Sequence, residues 1–400
     1  MKILWVTSQL PCLRSGGQVR QYYLLKYLCQ SHSVTIISLV HESEKRDIPA
    51  LLRMGAKVIT ESVPIAKEKS RWGNRLRSWF QLICDPWPNY ARTYPLSGLR
   101  QQLQYVLTQW NPEIIHFESL FVAPLGEDVR NKPWILAEQN VESKSNFRKS
   151  RYEIKLSHRL SGWIETNKLR SWESNMLQSC HACVAVSEDD ADELKLLAPN
   201  LHIFVVPNGV DSQRFKPPNG SQMERTGLLF FGNLDYQPNI DALIYFSREI
   251  FPIIQSSHPE ITLTIVGPNA HACIKALGDI PGIIYTGFVE DLRPQLWGAA
   301  VCVVPLRSGG GTRLKILEAM AASLPVVSTS VGAEGLKLLD GKDLLIADTP
   351  NVFAETVINM LSNEGLRHRL AQNGLRSVTE LYEWKVITPK LEQLYASIRA

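Results

Sequence analysis

Residues 308–327 read SGGGTRLKILEAMAASLPVV, and this stretch decides the fold. It follows the apolar run 301–306, which predicts a buried strand. Its own apolar spacing predicts a helix over 312–323 with Thr312 as the N-cap. Four small residues, 308–311, separate the strand from the helix. A buried strand joined to a helix by a glycine-rich turn is typical of α/β proteins that bring backbone close to a ligand.

The helix over 312–323 carries its charged side chains in an unusual place. Arg313 and Lys315 fall in its first turn, where the positive end of the helix dipole disfavours cations. An anion such as a phosphate, bound between the helix N-terminus and the two cations, would explain this placement. Glu318 lies about 60° around the helix from Lys315. One face thus offers a cation for phosphate and a carboxylate for hydroxyl groups, which indicates a nucleotide-sugar site. A surface ion pair between Lys315 and Glu318 is the alternative.

The alternation of strands and helices extends over the whole chain. Apolar runs predict seven strands in the first half, at 2–8, 33–39, 56–60, 113–117, 133–137, 182–187 and 203–206. They predict six in the second half, at 227–231, 261–267, 283–287, 301–305, 325–329 and 343–347. Helical spacing is found between them, for example over 163–179. Such alternation predicts parallel sheets with crossover helices.

Three segments follow from this pattern. We expect an N-terminal Rossmann-like domain over 1–206, a C-terminal Rossmann-like domain over 207–382, and a last helix within 383–400 that packs back on the first domain. The turn-rich residues 207–225 suit a hinge. Ligands of open α/β sheets bind outside the carboxyl ends of the strands. The two parallel sheets are therefore expected to face a shared cleft.

Composition places the chain among soluble globular proteins. Of its 400 residues, 44% are hydrophobic and 20% are charged, and no apolar run approaches the roughly 20 residues that span a bilayer. The net charge of +4 is too small to indicate nucleic-acid binding. No secretory signal precedes the first strand, and the seven cysteines are odd in number and scattered. Both features predict a cytoplasmic protein with free thiols.

Residues 64–104 combine basic and aromatic side chains. Seven Lys or Arg stand against two Asp or Glu, a local net charge of +5, and Trp72, Trp79, Phe80 and Trp87 lie among them. This mixture is typical of segments that lie on anionic lipid, which predicts contact with a membrane surface and suits a lipid-linked acceptor. A solvated basic face with its aromatics packed on the domain is the alternative. RNA binding has no other support in the sequence.

Several short motifs occur in a fixed order along the chain. They are Ser15-Gly-Gly17 with Arg20, Val206-Pro-Asn-Gly-Val-Asp211, Phe231-Gly-Asn-Leu234, Ile265-Val-Gly-Pro268, Gly287-Phe-Val-Glu-Asp291, and Glu318-Ala-Met-Ala with Leu324-Pro-Val-Val327. Each is weak by itself. Their order and spacing resemble those of the retaining glycosyltransferases of family four, which have the GT-B fold. The resemblance covers essentially the whole chain.

The resemblance implies transfer of a sugar from a nucleotide diphosphate donor to a glycan or lipid-linked acceptor, with retention of the anomeric configuration. The donor would bind mainly to the second domain and the acceptor to the first. Such enzymes generally need no metal or other cofactor, because the helix dipole and cations neutralise the leaving diphosphate. Synthesis of a polysaccharide or cell-envelope glycan is the expected setting. A nucleotide-sugar epimerase and a non-catalytic nucleotide-sugar-binding homologue are the alternatives.

Site residues are carried over position by position. His116 matches the family's histidine that contacts the donor sugar, and Glu318 matches its ribose-binding glutamate; with Arg313 and Lys315 they form the predicted catalytic group. The donor is expected to contact the glycine-rich turns and the loop beside the base: Gly16, Gly17, Gly232, Asn233, Gly267, Phe288, Val289, Gly309, Gly310, Gly311 and Thr312. Arg20, Glu138 and Asn140 are expected at the acceptor, although residues 138–142 could instead cap the next helix.

The chain departs from the family pattern in two places. Family members carry two glutamates spaced E-x7-E, and the first of them would fall on Gly310. Many members also carry an Arg and a Lys after the first strand of the second domain, whereas residues 232–239 contain no cation here. We therefore expect Arg313 and Lys315 to replace those cations at the diphosphate. Backbone N–H groups of 309–312 are expected to recognise the sugar.

Overall fold

The structure is a computed structural model, and it describes residues 1–63, 85, 87–92, 96–129, 132–151, 156–218, 224–309 and 313–399. The chain divides into two compact units. The first unit comprises Met1–Pro207 together with Ile387–Ala400, and the second comprises Asn208–Val386. Each unit is built on one parallel sheet.

The first unit has seven described strands and six helices ahead of the chain's last helix. The strands are β1 (Lys2–Thr7), β2 (Ser33–Val40), β3 (Lys57–Ser62), β4 (Ile114–Glu118), β5 (Trp134–Ala137), β6 (Ala182–Ala185) and β7 (Ile203–Val205). The helices are α1 (Gly16–Ser31), α2 (Ile48–Arg53), α3 (Ser97–Trp110), α4 (Glu142–Arg151), α5 (Leu156–Ser179) and α6 (Glu188–Leu197). Short 3₁₀ helices occur at Glu42–Asp47, Asn89–Arg92 and Ala123–Val129.

The second unit repeats this architecture with six described strands. They are β8 (Leu228–Phe231), β9 (Leu263–Val266), β10 (Ile283–Gly287), β11 (Val301–Val304), β12 (Val326–Ser328) and β13 (Leu345–Ile346). The helices are α7 (Ser212–Phe215), α8 (Gln237–Tyr245), α9 (Phe251–Ser257), α10 (Ala272–Lys275), α11 (Arg293–Gly298), α12 (Leu314–Ala321), α13 (Ser330–Ala333), α14 (Pro350–Ser362) and α15 (Glu364–Leu381). A π-helical turn, Phe246–Ile250, joins α8 to α9, and a 3₁₀ helix, Ala276–Asp279, follows α10.

Strand order is of the Rossmann type in both units. The first sheet runs β3-β2-β1-β4-β5-β6-β7 and the second runs β10-β9-β8-β11-β12-β13. In each sheet the order reverses at the unit's first strand, which leaves a crevice beyond the carboxyl ends of β1 and β4 and of β8 and β11. The predicted fold class, with seven and six parallel strands in two Rossmann-like units, is confirmed.

The central strands explain why the sequence pattern was clear. Every residue of β8 and β11 is buried, as are all those of β4 and β5. Parallel strands are covered on both faces, so they read as continuous apolar runs without polar alternation. The edge strand β3 is only partly buried and begins with Lys57, as expected for a strand paired on one side alone.

The last helix, α16 (Trp384–Arg399), belongs to the first unit from Ile387 onward. Ile387, Leu391 and Leu394 are completely buried. On its polar side, Glu392 accepts from His32 Nε2 at 2.9 Å, and Arg399 pairs with Glu113 at 2.7 Å. This C-terminal segment therefore contributes to the folded core of the first unit.

Candidate functional site

Loops from four adjacent strands of the second unit meet at one edge of its sheet. The strands are β10, β9, β8 and β11, which lie side by side. The predicted donor-binding residues that follow β8, β9, β10 and β11 in turn are Gly232 and Asn233, Gly267, Phe288 and Val289, and Gly309. Because carboxyl ends of parallel strands share an edge, the structure brings these residues to one end of the sheet. Gly310, Gly311 and Thr312 lie outside the described residues.

Two glycines let the ends of β8 and β9 approach each other closely. Gly232 has φ +148° and Gly267 has φ +159°. A Cβ on Gly267 would overlap the backbone oxygen of Gly232. Leu234 N also donates to Pro268 O at 3.0 Å, which fixes the two loops together. Only glycine fits at Gly267, and its first reason for being glycine is this backbone contact.

Helix α12 begins later than the sequence predicts. Its first residue is Leu314 and its N-cap position is held by Arg313, so the prediction of Thr312 as N-cap was wrong. The Arg313 side chain is buried, and its guanidinium lies 2.7 Å from the place where a Cβ of Gly309 would stand. The Arg313 side chain lies over Gly309 at the start of the helix, a tertiary contact that capping preferences do not capture.

Lys315 points at the loop after β8. Its Nζ donates to Asn239 Oδ1 at 2.8 Å, lies 4.2 Å from the centroid of the Phe230 ring, and stands 3.2 Å from the Cβ position of Gly232. Burial lowers the pKa of Lys315 to about 7. The ammonium thus reaches the segment 232–239, which contains no cation of its own.

Glu318 lies one helical turn beyond Lys315. Its carboxylate forms no hydrogen bond or ion pair within the described part of the chain, so the surface ion pair with Lys315 is not formed. Burial raises the pKa of Glu318 to about 7, opposed first by Arg214 and then by Lys315. A partly exposed carboxyl with unused oxygens can accept hydrogen bonds from ligand hydroxyls.

A chain of hydrogen bonds crosses the carboxyl ends of β1, β4 and β5 in the first unit. Tyr395 Oη bonds His116 Nδ1 at 2.8 Å, and His116 Nε2 bonds Glu118 Oε2 at 2.7 Å. Gln139 Nε2 then donates to Glu118 Oε1 at 2.7 Å and to Gly17 O at 3.4 Å. This series of hydrogen bonds therefore connects the last helix to the glycine turn at the start of α1.

The structure places the His116 side chain in a buried setting. The side chain is 1% exposed and stacks on the Trp5 ring, with centroids 3.7 Å apart. Both ring nitrogens bond to protein groups, and burial lowers the pKa of His116 despite the Glu118 carboxylate. The ring is enclosed by protein groups, and its predicted contact with a donor sugar stays a prediction.

The predicted acceptor residues are mostly enclosed as well. Arg20 is 1% exposed, and its guanidinium donates to Pro207 O at 2.9 Å and to Val206 O at 2.8 Å, so it anchors the chain after β7. Glu138 is also buried, and burial beside Glu173 raises its pKa well above the usual range. The predicted contact of Arg20 and Glu138 with an acceptor stays a prediction. Asn140 alone of the three is partly exposed.

At the start of α1, Gly16 is exposed and Gly17 is partly covered. A Cβ on Gly17 would collide with the carboxamide of Gln139. A side chain at Gly17 would therefore displace the Gln139 carboxamide, and Gly16 is the glycine of the pair that faces solvent. Whether a donor contacts either residue stays a prediction.

Four residues that interact with the predicted site residues were missed by the sequence analysis. They are Arg214 and Asn239 in the second unit and Glu118 and Gln139 in the first. Glu118 and Gln139 stand at or just after strand ends, and that position was the usable signal. Asn239 is buried although polar, and its Nδ2 donates to Asn233 O at 2.8 Å. Only the folded structure shows that Asn239 links the loop after β8 to Lys315.

Two general features of the described residues bear on function. No helix among them is long and apolar enough to cross a membrane. Within the same residues, no group of three or more His, Cys, Asp or Glu side chains is arranged to hold a metal ion.

Two family models match this chain, and each covers most of one unit. Residues 14–214 match the model of Glycosyltransferase Family 4, and residues 225–363 match that of Glycosyl transferases group 1. Glycogen synthase of Mycobacterium tuberculosis is 23% identical over 100% of this chain and 95% of its own. An uncharacterized 44.6 kDa protein in the cps region of Klebsiella pneumoniae is 30% identical over 41% of this chain and 45% of its own. Phosphatidyl-myo-inositol mannosyltransferase of Mycobacterium leprae is 26% identical over 58% of this chain and 62% of its own.

Solved structures share the fold along the full chain. Sucrose-phosphate synthase from Thermosynechococcus elongatus superposes with a TM-score of 0.74 at 16% identity, covering 100% of this chain and 99% of its own. Anabaena Alr3699/HepE, solved with UDP and glucose, gives 0.71 at 13% identity, covering 99% and 100%. With a family model that spans half of the chain and these neighbours in fold, the chain belongs to glycosyltransferase family 4 and has the GT-B fold.

Proposed function

We propose that the protein transfers a sugar from a nucleotide diphosphate donor to a glycan or lipid-linked acceptor, with retention of configuration and without a metal ion. One observation carries the proposal. The Lys315 ammonium stands over Gly232 at the carboxyl end of β8, and one turn along α12 the Glu318 carboxyl forms no hydrogen bond or ion pair with the described residues. A cation beside a glycine turn suits a diphosphate, and a free carboxyl suits ribose hydroxyls.

Charge development during transfer gives Lys315 its role. When the bond from the sugar to the diphosphate breaks, negative charge grows on the leaving phosphate. A cation already held in place at that point stabilises this charge without reorganisation. Arg313 stands beside it at the N-cap of α12 and adds positive potential near the same helix end. We assign no protein nucleophile.

The acceptor class is supported by the relatives. Glycogen synthase elongates a glycan by its name, and phosphatidyl-myo-inositol mannosyltransferase acts on a lipid by its name. A glycan or a lipid-linked glycan is therefore the acceptor class we propose, in polysaccharide or cell-envelope glycan synthesis.

The test is a panel of UDP-, GDP- and ADP-sugars, with release of the nucleoside diphosphate followed by chromatography, with and without EDTA. We expect slow release from one donor class, unchanged by EDTA. Lys315→Met should slow release at least about tenfold, because it removes one charge from the leaving group's surroundings. Lys275→Met, which changes an exposed lysine of α10 in the same unit, is the matched control.

Three results would contradict the proposal. An altered sugar on an intact nucleotide would indicate an epimerase, and no turnover of any donor despite binding would indicate a non-catalytic homologue. Equal activities of the Lys315→Met and Lys275→Met variants would remove Lys315 from the site.

A further inference from the structure

Helix α5 presents one face whose side chains are exposed. Five of its residues fall within an arc of about 100°, namely Arg159, Leu160, Trp163, Asn167 and Arg170. We call this set the α5 face. Trp163 is 57% exposed and Leu160 is 53% exposed. Large apolar side chains this accessible are informative when they share one face of a helix.

The other sides of α5 are occupied by protein. Asn146 of α4 bonds Gly162 O at 3.3 Å and Thr166 Oγ1 at 2.9 Å, so that side packs on α4. Trp172, about half a helical turn around from Trp163, is 4% exposed and belongs to the core. The α5 face is therefore the outward side of an element that is anchored elsewhere.

Two arginines frame the apolar pair of the α5 face. Both Arg159 and Arg170 are exposed, and neither forms a hydrogen bond or ion pair with any residue the structure describes. Free guanidinium groups beside exposed Leu and Trp side chains combine positive charge with apolar surface. Phosphate headgroups above an acyl layer are complementary to this combination.

Two described residues of the basic-aromatic stretch contact α5. Asn89 Nδ2 donates to Glu165 Oε2 at 3.2 Å, and Lys168 Nζ donates to Asp85 O. Trp87, between these two contacts in sequence, is 51% exposed. Most of residues 64–104 lie outside the described residues, but Asp85 and Asn89 are bonded to α5.

Positive charge is concentrated in two stretches of the sequence, 142–171 and 64–104. Residues 142–171 contain eight Lys or Arg and three Asp or Glu, a net charge of +5, and residues 64–104 also carry +5. The whole chain carries only +4, so all other residues together carry −6. The positive charge is thus concentrated in the two stretches of sequence that contain Trp87, Leu160 and Trp163.

We propose that the α5 face, together with Trp87, is a docking surface for the anionic phospholipid of a bilayer. Trp163 and Leu160 insert at the headgroup level, and Arg159 and Arg170 meet the phosphates. This inference rests on the surface alone and does not require the proposed sugar transfer.

The test is pelleting of the full chain with vesicles of phosphatidylcholine and phosphatidylglycerol, against vesicles of phosphatidylcholine alone. We expect binding to the anionic vesicles only, and its loss in about 1 M salt, where charges are screened within about 3 Å. Arg159→Gln/Leu160→Ser should weaken binding at least about tenfold, since one basic residue alone contributes about fivefold. Leu52→Ser/Arg53→Gln makes the same two changes at an exposed pair on α2 and should leave binding unchanged.

Two outcomes would overturn the proposal. One is equal binding by the two double variants, and the other is binding of single-stranded RNA but not of anionic vesicles. Release of nucleoside diphosphate from a soluble donor should be equal in the wild type and the α5 variant, so failure of membrane binding is distinguishable from failure of the transferase proposal. Melting temperatures of both variants check that the fold is intact.

Discussion

At the scale of single residues, the candidate site depends on two charged side chains of α12, Lys315 and Glu318. Their places on a helix conflict with the helix dipole and with an apolar environment, and in the structure Lys315 bonds Asn239 while burial raises the pKa of Glu318. His116 shows the limit of reasoning from sequence. Its stacking partner comes from β1 and its hydrogen-bond partner Tyr395 from the last helix. Such distant partners leave no local signal.

Glu318 yields a prediction in which stability and binding oppose each other. Its pKa is raised from 4.5 to about 7, so between these values the folded protein holds a proton that the unfolded chain has lost. Stability contributed by this group therefore falls as pH rises through that window, and the full cost applies above pH 7. The Glu318→Gln variant has no carboxylate to ionise, so it escapes most of this destabilisation. It should be more stable than wild type by up to about 3 kcal/mol at high pH.

Urea denaturation at a series of pH values measures this effect. The gain should vanish at and below pH 4.5, where the carboxyl is protonated in both states. Glu355→Gln, an exposed glutamate on α14, is the control and should show no such pH dependence. The same Glu318→Gln variant should bind the nucleotide-sugar more weakly. If Glu318→Gln were no more stable than wild type at high pH, burial would not disfavour the charged form of the Glu318 carboxyl.

At the scale of elements, strands were predictable and helix ends were not. β4, β5, β8 and β11 are buried over their whole length, so their apolar runs have few other interpretations. Helix α5 was predicted over 163–179 but begins at Leu156. Its first turns carry little apolar periodicity, and packing of Gly162 against Ser150 of α4 holds them in place instead. Tertiary contacts of this kind decide where helices begin.

The last helix gives a prediction at this scale. Tyr395→Phe removes the hydroxyl that bonds His116 Nδ1 at 2.8 Å and leaves that buried nitrogen without its partner. The expected loss of unfolding free energy is about 1–3 kcal/mol, the cost of an unsatisfied buried polar group. Tyr105→Phe makes the same change at a side chain that is 60% exposed and should cost almost nothing. Equal stabilities of the two variants in chemical denaturation would show that the hydrogen-bond chain does not support the fold.

At the scale of the whole molecule, repetition made the fold predictable. The alternation of strands and helices, broken once near residue 207, yielded two parallel sheets of seven and six described strands. The alternation of strands and helices does not show which unit binds which ligand. The sequence offers glycine turns at the starts of both units, and their surroundings differ only in the folded chain. Gly17 is covered by Gln139, whereas Gly232 adjoins the Lys315 ammonium.

Hydrogen exchange on the full chain tests this difference between the units. A saturating nucleoside diphosphate of the preferred base should slow exchange in residues 232–239, 286–290 and 313–318 of the second unit. The reason is that backbone N–H groups and the α12 N-terminus would bind its phosphates. At about 100-fold excess over the dissociation constant, the protection is worth at most about 2.7 kcal/mol. Residues 142–151 and 156–171 should exchange as before, and Lys315→Met should lose most of the protection. Protection confined to residues 15–19 would instead place the diphosphate on the first unit, because the glycine turn of α1 would then be the one that approaches the ligand.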